Sequence, residues 1–137
     1  MGVVDFPKVP QTLKVYSKVT PGTRFMFTGR CEAKNFSFAL VSSTEIAIFL
    51  EFEMENERLV KAKSFCKGEW SSEKLLKNPI RANGDFFIQI VACKEDFEIY
   101  FGGSYLFSLK YSLSLDSITG IRLMETMEMY RVEMEQL

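Results

Sequence analysis

The stretch Ile46-Ala47-Ile48-Phe49-Leu50-Glu51-Phe52-Glu53 alternates with a period of two. In an extended chain Ile46, Ile48, Leu50 and Phe52 fall on one side, while Phe49, Glu51 and Glu53 fall on the other. Such a segment is a strand with one face on a core and one face in solvent. Further along, Cys66-Lys67-Gly68-Glu69-Trp70-Ser71-Ser72-Glu73 holds the only tryptophan of the chain. Small and polar neighbours predict that Trp70 is exposed in a groove, against the alternative of a packed core aromatic.

The same period recurs in both directions. Residues 13–16 predict a short opening strand, Pro21-Gly22 a turn, and residues 24–29 a strand around Phe25 and Phe27. Residues 36–40 alternate almost ideally, and Ser42-Ser43-Thr44 is a loop. After the polar turn Glu55-Asn56-Glu57-Arg58 the chain returns over 59–65, with Val60, Ala62 and Ser64 opposite Lys61, Lys63 and Phe65. Residues 86–92 and 97–101 read as strands. Gly102-Gly103 reads as a two-residue hairpin turn, because both positions can take φ > 0, and 104–110 completes that hairpin. Residues 118–123 and 127–134 close the chain. Met124, Met127, Tyr130 and Met134 also fit a helical stripe; the strand reading requires a bulge near Arg131. About ten or eleven short strands with regular turn signals predict an all-β sandwich.

Composition narrows the function classes. The 137 residues predict one domain, 1–137, with its core over about 11–137. A net charge of −1 and the lack of a basic tract exclude a nucleic-acid partner. Apolar runs of strand length exclude membrane insertion by a helix. With no histidine in the sequence, Ser-His-Asp and Cys-His catalysis and the common zinc sites are excluded. Cys31, Cys66 and Cys93 show no metal or redox spacing and read as reduced thiols. Glu51, Glu53, Glu55 and Glu57 present oxygens at strand spacing, but no Asp/Gly calcium loop accompanies them; no metal and no cofactor is expected. The N-terminus shows no signal-peptide pattern, so the cytoplasm is the default location. Phe6 stands where N-myristoylation needs Ser or Thr.

Several pieces, in order, resemble the galectin carbohydrate-recognition domain from about Gln11 onward. They are Pro21-Gly22-Thr23 with Phe25 and Phe27, Phe36-Ser37-Phe38-Ala39-Leu40, Ile46-Ala47-Ile48, and Gly68-Glu69-Trp70 with Glu73. Gly84-Asp85-Phe86, Ile99-Tyr100-Phe101-Gly102-Gly103 and residues 118–132 follow. The resemblance implies a jelly-roll β-sandwich of two antiparallel sheets with a sugar groove on one concave face. Galectins read galactose with His-x-Asn-x-Arg on one strand, Asn on the next, then Trp and Glu-x-Arg. Here those positions carry Phe49, Glu51 and Glu53, then Lys63, then Trp70, Glu73 and Leu75. Only Trp70 and Glu73 remain.

The replacements change the chemistry. A Trp face still stacks on the CH face of a pyranose. Reading the axial hydroxyl of galactose needs His, Asn and Arg, which donate or accept in fixed directions. Phe49 and Leu75 do neither, and Glu51 and Glu53 only accept. Losing several such bonds costs recognition factors of roughly 10⁴. Lactose binding is therefore expected to be absent or very weak. The candidate carbohydrate-binding residues are Trp70, Glu73, Lys63, Glu51, Glu53 and Phe49. Glu51 and Glu53 are expected to share a face with Lys61 and Lys63 and to pair with them, closing the groove; Glu73 either holds ligand or pairs with Lys63. Two functions follow. One is a lectin for a different glycan or glycoprotein; the other is a galectin-fold protein-interaction or structural module, and the resemblance adds a homodimer through terminal strands. Galectins also leave cells without a signal, which keeps an extracellular role open. Hydrolysis is not expected, because Glu51 and Glu53 project side by side and do not flank a bond.

Overall fold

The computed structural model describes residues 2–55 and 57–136, so Asn56 of the polar turn lies outside the described residues. Among the described residues thirteen strands form two antiparallel sheets. In chain order they are β1 (Gly2–Asp5), β2 (Gln11–Lys14), β3 (Thr23–Cys31), β4 (Phe36–Val41), β5 (Ile46–Phe52), β6 (Leu59–Cys66) and β7 (Glu69–Trp70). Then come β8 (Lys74–Lys77), β9 (Asp85–Ala92), β10 (Asp96–Phe101), β11 (Ser104–Lys110), β12 (Gly120–Met124) and β13 (Met127–Gln136). One sheet has the order β1-β13-β3-β9-β10-β11; the other has β2-β12-β4-β5-β6-β7, with β8 also paired to β6. This is the expected jelly-roll sandwich. Among the described residues no helix is long and apolar enough to cross a membrane.

The core lies between the sheets and is built from the inward half of each alternation. Phe25 and Phe27 of β3, with Ile88 and Ile90 of β9, face Phe36, Phe38, Leu40, Ile48, Leu50 and Phe52 from the other sheet, all essentially without solvent contact. Phe27 stacks on Phe38 with centroids 4.4 Å apart, and Phe36 stacks on Phe52 at 4.9 Å and on Phe86 at 5.2 Å. Full burial of one such side chain contributes about 1.5–3 kcal/mol. Gly102 and Gly103 take φ of 54° and 88° and turn β10 into β11, as the sequence predicts.

The register of β13 on β3 shifts between Met129 and Arg131. That bulge carries Met129, Val132 and Met134 to the core side despite their uneven spacing, so the final segment is a strand. Two parts of the sequence reading are corrected. The strand expected to open the chain is the second, β2 at Gln11–Lys14, two residues earlier than expected, although Val15 still donates its N–H to Thr119 O at 2.9 Å. The strands among the described residues number thirteen, not ten or eleven, since β1, β7 and β8 add to those the sequence pattern shows. All four residues of β1 and both of β7 are exposed, as are all but one of β8, so no buried half exists to make the pattern visible.

Candidate carbohydrate site

The site grows from β6. Its Val60, Ala62 and Ser64 are buried, which turns Lys61, Lys63 and Phe65 outward. Antiparallel pairing sets Phe49 opposite Lys63 and Glu51 opposite Lys61. A tight turn at Lys67-Gly68, both with positive φ (54° and 78°), folds β7 back so that Trp70 lies opposite Phe65. On β8, Leu75 lies opposite Lys61. Phe49, Glu51, Lys61, Lys63, Phe65, Trp70 and Leu75 thus share the outer face of the seven-stranded sheet.

Trp70 is 46% exposed. The Lys63 ammonium sits over its ring, 4.3 Å from the centroid, and lies 3.6 Å from Glu73 Oε2. Phe49 and Phe65 meet the ring edge-on at 5.8 and 5.2 Å. Lys61 Nζ meets Glu53 Oε2 at 2.9 Å. The hydrogen bond and charge of Glu53 raise the Lys61 pKa above its ordinary value, with Glu73 and Glu51 adding to this against desolvation, so the amine stays charged. The pairing expected between the glutamates and lysines occurs for Glu53 with Lys61. Lys63 goes to Glu73, and Glu51 forms no ion pair among the described residues. The two residues retained from the galactose set, Trp70 and Glu73, are therefore linked through Lys63.

A cation over an indole face contributes about 0.5–2 kcal/mol, and it covers a surface on which a sugar would stack. Lys63→Met removes the ammonium and keeps the apolar stem. Acrylamide, a neutral quencher, is expected to quench Trp70 emission more efficiently in this variant than in the parent. Equal Stern–Volmer slopes would mean that Lys63 does not shield the ring.

The structure adds residues that the sequence reading missed. Arg122 pairs with Ala39, which pairs with Phe49, so Arg122 stands in the same cross-sheet row as Phe49 and Lys63. Together with Ser42, Thr44, Glu45 and Phe65 it lines a hollow of about 400 Å³ beside Trp70. Glu45 rims it with one oxygen accepting the Lys67 N–H at 2.8 Å. The signal was present: Arg122 is exposed between buried Ile121 and Leu123, so alternation alone points it outward.

A two-sheet jelly roll whose open face carries a lone tryptophan among charged side chains is a lectin-type sandwich. Comparison with known proteins makes the class specific. The family model described as galactoside-binding lectin matches residues 10–134, and the chain belongs to that family, the galectins. A curated relative, "Probable galaptin lec-7" of Caenorhabditis elegans, is 21% identical over 124 residues, 88% of this chain and 69% of the relative. Among solved structures, Caenorhabditis elegans galectin LEC-6 superposes with a TM-score of 0.90 at 16% identity, covering 98% of this chain and 96% of that one. Sheep galectin-11, solved in complex with glycerol, gives 0.82 at 12% identity, with 92% and 97% covered. Galectins are carbohydrate-binding proteins and not enzymes.

Proposed function

We propose that this chain is a carbohydrate-binding module whose β-galactoside site has been rebuilt, so that it binds lactose weakly or not at all and takes a different glycan on the Trp70 face. The observation that carries this reading is the Lys63 ammonium, 4.3 Å from the Trp70 centroid and 3.6 Å from Glu73. It occupies both family residues that remain. The binding set in this reading is Trp70, Glu73, Lys63, Glu51, Glu53 and Phe49. Glu51, which has no ion-pair partner among the described residues, is the acceptor left for sugar hydroxyls.

A second reading, a protein-interaction module without sugar binding, is favoured by the two self-satisfied pairs Lys61–Glu53 and Lys63–Glu73. The single tryptophan separates the two. Lactose is expected to give no saturable change in Trp70 emission; a saturable change at low millimolar lactose would sink the rebuilt-site reading. A saturable change with one member of a panel of neutral, acidic and amino sugars supports the altered lectin. Silence across the panel, with Trp70 open to acrylamide, supports the protein-binding module.

A further inference from the structure

A second cluster lies on the outer face of the other sheet. The Cys93 N–H donates to Asp96 O at 2.8 Å, closing a turn at Lys94-Glu95 between β9 and β10. Ala92 and Phe97 pair across this hairpin and are buried. Alternation therefore turns Cys93, Asp96 and Glu98 to the opposite face, where all three are half-buried. The Cys93 Sγ and one carboxylate oxygen each from Asp96 and Glu98 lie within 4.8 Å of one another.

Two surrounding contacts fix this trio. The Tyr100 hydroxyl donates to Glu98 Oε1 at 2.9 Å, and the Tyr111 hydroxyl donates to the Cys93 carbonyl. Lys110 is the register partner of Asp96 on β11. Even so, neither Asp96 nor Glu98 forms an ion pair among the described residues. Two carboxylates and a thiol thus converge with no cation in contact.

We infer that Cys93, Asp96 and Glu98 form a zinc-type cation site, with one thiolate and two carboxylate oxygens as ligands and water completing the shell. Zinc takes sulfur at about 2.3 Å and carboxylate oxygen at about 2.0–2.2 Å in a tetrahedron. Those lengths separate ligand atoms by roughly 3.5 Å, and the trio, within 4.8 Å of one another, reaches that spacing by side-chain rotation. The sulfur selects against calcium and magnesium, which are held by oxygen alone. Tyr100 acts from the outer shell, orienting Glu98. Forming the sulfur–metal bond releases the Cys93 thiol proton to solvent. Cysteine spacing alone could not reveal the site, since two of the three ligands are carboxylates that only the hairpin brings to the sulfur.

Cadmium gives the direct test, because its thiolate complex absorbs in the ultraviolet. Titration of the whole chain with Cd²⁺ in a phosphine reductant is expected to give a charge-transfer band that saturates at one equivalent and is displaced by Zn²⁺. Cys93→Ser should abolish the band. Asp96→Asn and Glu98→Gln should each weaken binding by at least about tenfold. Cys66→Ser, which removes the other half-exposed thiol, should leave the band intact. The inference is overturned by absence of the band in the parent chain, by its survival in Cys93→Ser, or by indifference to both carboxylate substitutions. Far-ultraviolet circular dichroism checks that each variant is folded.

Discussion

Phe38→Ala is expected to lower folding stability by about 3–5 kcal/mol, the range for deleting a large aromatic from a packed core. Phe38 sits on β4, the strand buried along its whole length. Its ring stacks on Phe27 across the sandwich at 4.4 Å and also meets Phe36 at 5.7 Å, Phe52 at 5.6 Å and Phe86 at 6.0 Å. Truncation would leave a cavity bounded by both sheets, whose backbone ladders oppose collapse. Proteins of this kind have about 5–15 kcal/mol of stability in all, so the loss is a large share. Guanidinium unfolding monitored by Trp70 emission measures it. Tyr16→Ala is the matched control: Tyr16 is 86% exposed, and its loss should change stability by no more than about 0.5 kcal/mol. A Phe38 effect below about 1 kcal/mol would mean that the aromatic cluster is not packed as described.

The second large effect concerns specificity. Combining Phe49→His, Glu51→Asn, Glu53→Arg, Lys63→Asn and Leu75→Arg restores the galectin pattern around Trp70 and Glu73. Lactose affinity is expected to rise by at least about 10²-fold, with roughly 10⁴ as the scale of what such directed bonds supply. The geometry gives the reason. Lys63→Asn clears the ammonium from Trp70 and releases Glu73, while Leu75→Arg places a guanidinium opposite Lys61 on the adjoining strand. Glu53→Arg costs the Lys61–Glu53 contact, so far-ultraviolet circular dichroism of the variant is part of the measurement. Calorimetry with lactose decides the outcome. Continued silence from a folded variant would mean that backbone placement, not side-chain identity, keeps galactose out.

What the sequence disclosed followed burial. Strands such as β5 and β9 have one buried face, and their alternation is plain in the letters. Strands β1 and β7 have none and left no pattern. The bulge in β13 was readable because Met129 and Val132 change parity while both need the core. The rows of the site were readable in part: Glu53 does meet Lys61, and Lys63 does meet Glu73. The choice of Glu53 over Glu51 for Lys61 was not, because register sets Glu51 opposite Lys61 and only side-chain reach favours Glu53. Arg122 and the Cys93 trio were missed for a different reason. Each joins residues far apart in sequence, or of mixed type, that no motif template groups.

The strand order also sets a sequence of events in time. β13, the last strand, lies between β1 and β3, the first and third. On a ribosome, β1 and β3 emerge early and wait for residues 127–136 before either meets that partner. β2 waits in the same way for β12. Until then β3 holds Phe25 and Phe27 beside an unfilled ladder, an edge open to other chains. Pairings this distant in sequence make folding slow relative to local architectures. The β9-β10-β11 meander, with its two short turns, and β3 on its edge are the part of that sheet whose strands can pair before β13 is made.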